Sequence, residues 1–173
     1  MKSTFRFIVI LAALVANTPV FADNLYSGFT ISQTAIKSDS GKVKPFMGTV
    51  KVGYQFARSF ALEGQFGAAI NDDKMGGVAV EVDKMTGVFV RIGGSNNYNG
   101  VRLYLLAGRT TTELKTDPVG SGETEFEGSA WGIGAEEFSR SIKNMAYVFE
   151  YTRLYDDDDA EITGISLGVR YNF

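Results

Sequence analysis

The chain has 173 residues, with 17 Lys+Arg against 20 Asp+Glu, 20 glycines, 13 phenylalanines, and neither histidine nor cysteine. Its formal charge of −3 gives no footing for nucleic acid as a partner, and a chain without cysteine has no disulfide framework, so packing and backbone pairing must hold it together. The same two missing residue types exclude serine triads, thiol nucleophiles and transition-metal sites in their usual forms.

The N-terminus reads as an export signal. Lys2 and Arg6 precede an apolar run from Phe7 to Ala16, Asn17-Thr18-Pro19 breaks it, and Val20-Phe21-Ala22 offers small residues for cleavage. Residues 1–22 are therefore expected to be a signal peptide, cut after Ala22. The run is shorter than the roughly 17–25 residues of a spanning helix, and no later segment approaches that length. Processing leaves 15 Lys+Arg against 20 Asp+Glu, a formal charge of −5. Residues 23–173 contain no compositional break and are expected to form a single domain.

Period-two segments then recur, separated by turn-rich breaks: 25–36, 45–57, 60–70, 77–93, 100–114, 125–138, 145–155 and 162–173. About eight antiparallel strands are expected. Of the prolines beyond the signal, Pro45 falls at a strand start and Pro118 in a loop, where a ladder tolerates a missing N–H. Connections alternate in length. Those at 58–59, 94–99 and 139–144 are short, whereas 37–44, 71–76, 115–124 and 156–161 are polar and longer, the pattern of an up-and-down barrel with both termini in the periplasm.

Face assignment decides between a soluble and a membrane barrel. In 46–57, Phe46, Gly48, Val50, Val52, Tyr54 and Phe56 alternate with Met47, Thr49, Lys51, Gly53, Gln55 and Ala57. In 60–70, Phe60, Leu62, Phe66, Ala68 and Ile70 oppose Ala61, Glu63, Gln65 and Gly67. The interior of an eight-strand barrel is only wide enough for side chains, so rows of large aromatics would overfill it. A charge facing lipid costs about 2–4 kcal/mol near the midplane. Charges inside and aromatics outside is the cheaper arrangement, and it selects a transmembrane barrel over a lipocalin-like one.

The same parity sends Lys51, Glu63, Arg91, Arg102, Glu136, Glu150 and Arg170 into the lumen, where buried charges must pair. They are expected to form a structural charge network. Arg109 and Arg153 fall on the lipid-facing parity, but toward the outer strand ends, where long side chains reach headgroups or a bulge shifts the register. Trp131 and the tyrosines are assigned to the lipid-facing surface and its interface belt. The run Asp156-Asp157-Asp158-Asp159 is expected to be a solvated loop tip, with weak Ca²⁺ or Mg²⁺ binding, bridging to lipopolysaccharide phosphates, as the functional alternative.

Gly53-Tyr54-Gln55-Phe56 followed by Phe60-Ala61-Leu62-Glu63-Gly64 resembles the second hairpin of the OmpA/OmpX-type small outer-membrane β-barrels, commonly G-Y-x-F, turn, x-A-L-E-x. Leu103 to Gly108, Gly132 to Glu136, Phe149-Glu150-Tyr151 and the closing Gly168-Val169-Arg170-Tyr171-Asn172-Phe173 are similar to the same family. The resemblance implies location in the cell outer membrane of a Gram-negative envelope. It also implies outer-membrane lipid and lipopolysaccharide as surroundings, and insertion by the barrel assembly machinery, with Tyr171 and Phe173 as assembly signal. It implies no particular activity, cofactor or surface ligand, and no peptidoglycan-binding domain is expected after the barrel.

Barrel enzymes of the outer membrane resemble one another in using histidine as base, and histidine's pKa suits that work. This chain has none, so it is not expected to be an enzyme. The expected function is a plugged barrel serving envelope structure or surface interaction through its loops. A narrow, porin-like pore for ions or small solutes is the alternative.

Overall fold

The computed structural model describes residues 24–38, 41–71, 73–75, 78–93, 100–117, 123–157 and 160–173. The expected signal peptide lies outside them. Alternation of apolar and polar residues produces strands because successive side chains leave a strand on opposite faces. Eight long strands carry that alternation: β1 (Leu25–Ser38), β3 (Phe46–Ala57), β4 (Phe60–Ala69), β6 (Val78–Gly93), β7 (Val101–Asp117), β8 (Glu123–Phe138), β9 (Met145–Asp157) and β10 (Ala160–Asn172). Two three-residue strands, β2 (Gly41–Val43) and β5 (Asp73–Met75), extend the connections after β1 and before β6. Those two were not legible in the sequence, being too short to show a period.

Each long strand pairs antiparallel with the next, and β10 pairs with β1 from Tyr26↔Asn172 to Ser38↔Ala160, which closes the ring. Closure leaves the long ladder without an open edge around its girth. The row of paired residues Gln55, Ala61, Arg91, Leu106, Gly132, Thr152, Gly164 and Thr34 circles the barrel. Thr34 N donates to Pro45 O at 2.9 Å, so the row returns to the starting strand ten residues from Gln55. A shear of that size in eight strands requires a tilt of roughly 40°.

The outward face is apolar. Phe29, Ile31, Phe56, Leu62, Phe66, Val88, Leu103, Leu105, Ile133, Phe149, Ile165 and Leu167 are all exposed. An apolar surface of this extent is stable against hydrocarbon and not against water. Strands β7 and β8 run past their expected outer ends, to Asp117 and from Glu123, because beyond the apolar belt β6, β7 and β8 continue as a polar ladder. There Lys84 Nζ lies 2.9 Å from Glu113 Oε1 and Lys115 Nζ 2.8 Å from Asp83 Oδ1. Register shifts occur at Gln55/Ala57, Val82/Lys84 and Ile162/Thr163. The second returns Val82 to the inside, and the third sits beside Arg153, where a bulge was one of the two readings.

Candidate functional site in the barrel lumen

Lys51 on β3, Glu63 on β4, Arg91 on β6, Glu136 on β8, Glu150 on β9 and Arg170 on β10 are buried in the half of the lumen nearer the termini; Arg102 on β7 is partly exposed at the mouth. They form three connected groups. The Lys51 ammonium donates to Glu150 Oε2, and the Tyr104 hydroxyl donates to Glu150 Oε1 at 2.6 Å. Glu136 receives Arg91 Nη2 at 2.5 Å and Arg170 Nη1 at 2.8 Å, with Arg102 Nη1 at 3.6 Å from its other oxygen. Glu63 has polar neutral partners: the Tyr26 hydroxyl donates to Oε2 at 2.8 Å and Gln65 Nε2 to Oε1 at 2.7 Å.

These contacts join strands that are not neighbours in the ring. Lys51–Glu150 runs from β3 to β9, and Arg91–Glu136–Arg170 links β6, β8 and β10. The arginines also lie over aromatic faces. Arg91 Cζ is 3.8 Å from the Tyr104 ring centroid and Arg170 Cζ 4.8 Å from that of Tyr26, geometries that favour a guanidinium over a π-face.

Two glycines make room for those rings. Tyr26 pairs with Gly53 and Tyr104 with Gly134, and a Cβ on either glycine would overlap its partner's ring. The missing side chain lets each tyrosine lie flat on the wall, the cross-strand aromatic cover of glycine used in barrels.

Above the charges comes a layer of hydroxyls, Thr30, Ser32, Thr49, Thr110 and Ser166, and above that an apolar layer of Ile36, Met47, Val82, Met85, Leu114, Leu154 and Ile162. The Thr110 hydroxyl donates to Leu154 O at 2.5 Å, holding the top of β9 over the lumen. The assignment of the tyrosines to the lipid-facing surface is corrected here for two of them: Tyr26 and Tyr104 are buried inside, as is the ring of Phe89. Parity already placed Tyr104 with Arg102. The interior has room for the two tyrosine rings because Gly53 and Gly134 opposite them carry no Cβ.

The chain forms a closed eight-strand ring with a charged lumen and an apolar outer wall, and the family model for the outer membrane protein beta-barrel domain matches residues 8–173. The chain belongs to the outer-membrane β-barrel family. It is an outer-membrane protein of the small OmpA/OmpX type. Ail, the attachment invasion locus protein of Yersinia pestis, is 20% identical over 87% of this chain and 99% of its own, with TM-score 0.62; it has also been solved with the heparin analogue sucrose octasulfate. Neisserial surface protein A is 16% identical over 86% and 97%, with TM-score 0.63. The N-terminal barrel of Pseudomonas aeruginosa OprF is 16% identical over 84% and 97%, with TM-score 0.57. These likenesses are of fold. Comparison with curated proteins finds no match.

Elsewhere on this outer-membrane barrel, Asp156 Oδ1 accepts from Arg153 Nη2 at 2.6 Å and Asp157 Oδ2 from the Tyr155 hydroxyl at 3.3 Å. Asp158 and Asp159 lie outside the described residues, among which no metal-binding cluster of carboxylates is gathered. Arg109 points outward, 3.5 Å from Glu127 Oε1. Arg153 also contacts Glu161 at 3.6 Å. Glu161, beyond the last outward apolar residue of β10, has its carboxyl held below the usual range, chiefly by a hydrogen bond from Lys37 at 2.8 Å. At the other end of β10, Phe173 N donates to Leu25 O at 3.0 Å and its ring meets that of Tyr171 edge-on at 5.4 Å.

Proposed function

We propose that this protein is a non-enzymatic barrel whose filled lumen braces its wall, and that it serves envelope structure or surface contact through the loops at the end opposite its termini. The supporting observation is the double filling of the lumen. Ion pairs cross its lower half from strand to strand, and close-packed apolar side chains occupy its upper half. A hydrated ion meets both a fixed charge network and a mostly apolar layer that offers few groups, such as the Thr34 and Thr112 hydroxyls, to replace its water. In this reading the termini and the short connections face the periplasm, and Tyr171 and Phe173 at the closing seam serve as the assembly signal.

Purified protein in planar bilayers should show no steady conductance, and stable ion-selective channels would replace this reading with the narrow pore. The pore draws support from small cavities beside Lys51, Glu63, Arg91 and Glu150 and at the mouth by Arg58 and Arg102. Against it stands the apolar layer above them.

A further inference from the structure

An open groove of about 400 Å³ lies on the outer wall across β3, β4, β6 and β7, within the roughly 300–1,000 Å³ of ligand clefts. Its floor is Gly64. This glycine faces outward, and a Cβ built on it would approach only Val52 O, at 3.9 Å, so the missing side chain leaves space on the lipid side and not inside. Gly64 pairs with Val52 on one strand and Val88 on the other, while Phe66, the next outward residue of β4, pairs with Val50. Those four apolar side chains wall the groove.

The groove ends at a cation. Val88 pairs with Arg109 on β7, and the outward residues of β7 below it are Val101, Leu103, Leu105 and Ala107. Arg109 therefore stands where the apolar belt of its strand stops, with its side chain 73% exposed. Apolar walls leading to one exposed guanidinium match a lipid whose acyl chain lies on the barrel and whose anionic group sits at the membrane surface. Guanidinium is the side chain best shaped for a phosphate. With the termini on the periplasmic side, Arg109 lies in the outer leaflet, where the anionic lipid is lipopolysaccharide.

We propose that this groove seats one acyl chain of lipid A, with a lipid A phosphate on Arg109. Glu127 is 3.5 Å from Arg109, and both are mostly exposed, so that pair is weak and competes with the phosphate.

The chain's single tryptophan is a built-in reporter: Trp131 faces outward and pairs with Ala107, adjacent to Arg109. Folded barrel in phosphatidylcholine nanodiscs is titrated with bis-phosphorylated lipid A carrying brominated acyl chains. Trp131 quenching and native mass spectrometry both read retention. Losing the charge-assisted contact in Arg109→Gln should weaken retention about tenfold. Gly64→Leu fills the groove, its Cβ meeting Val52 O only at an ordinary 3.9 Å contact, and should weaken it similarly, while Glu127→Gln should strengthen it. Heat-modifiability shows that each variant is folded.

Equal retention by wild type and both weakening variants would overturn the proposal. So would equal retention of dephosphorylated lipid A, or of brominated phosphatidylglycerol. Cross-links between copies across this face, persisting when lipid A is added, would assign the groove to a second barrel and overturn it too.

Discussion

Glu136 is 1% exposed and has three arginines around it. Replacing it with glutamine removes the charge that offsets Arg91 and Arg170 and leaves both buried without a carboxylate. Breaking a buried ion pair from one side costs about 3–5 kcal/mol, so Glu136→Gln should lower the midpoint of denaturant unfolding in micelles by a corresponding amount. The Lys84–Glu113 pair is much more exposed, and Glu113→Gln should shift the same transition by at most about 1 kcal/mol. Equal shifts would show that lumen burial confers no special weight on Glu136. Gly134→Ala tests the ring seat. Tyr104 cannot swing aside without giving up its hydrogen bond to Glu150, so overpacking should cost about 1–3 kcal/mol. In a Tyr104→Leu background the same substitution should cost less, a coupling that a double-mutant cycle reads directly.

At the scale of the element, β10 shows how one strand serves two solvents. Its inward Ser166 and Arg170 are buried, while Leu167 between them is 64% exposed. Leu167→Arg puts a charge into the apolar belt and should destabilise the barrel by about 2–4 kcal/mol in bilayers. The same change at Thr163, outward but above the belt and paired with Arg153, should cost at most about 1 kcal/mol, from like charge alone. Comparable losses at both positions would mean that the belt does not end where the outward apolar residues do. The strand also closes the ring through Phe173 N to Leu25 O. Deleting Phe173 should reduce the yield of assembled barrel while secretion continues, and an unchanged folded fraction would remove its assembly role.

For the whole molecule, a closed ladder predicts resistance. Every long strand has a partner on each side, so detergent must disrupt many hydrogen bonds together before any strand is freed. The protein should stay folded in SDS at room temperature and migrate differently after boiling. One mobility under both conditions would contradict closure in the membrane. Charges linking β3 to β9 and β6 to β10 add cross-bracing that an empty barrel lacks, so combining Glu136→Gln with Glu150→Gln should lower the temperature at which the mobility changes.

The eight long strands, their membrane-facing residues and the inward placement of all seven lumen charges follow from the sequence alone. Alternation has a period of two, and a charge in lipid costs more than any packing preference along the strand. Strand ends were less legible: β7 and β8 continue past their expected outer ends because cross-strand pairs such as Lys115–Asp83 support them, and such pairs depend on register. Tertiary structure decided which charges meet. Lys51 and Glu150 are 99 residues apart, and only the ten-residue shear that closes the ring sets their side chains opposite each other. It also decided that Tyr26 and Tyr104 go inside, since the space for each ring is the Cβ missing from a glycine on the neighbouring strand. Alternation fixes a side chain's face; closure fixes its neighbours.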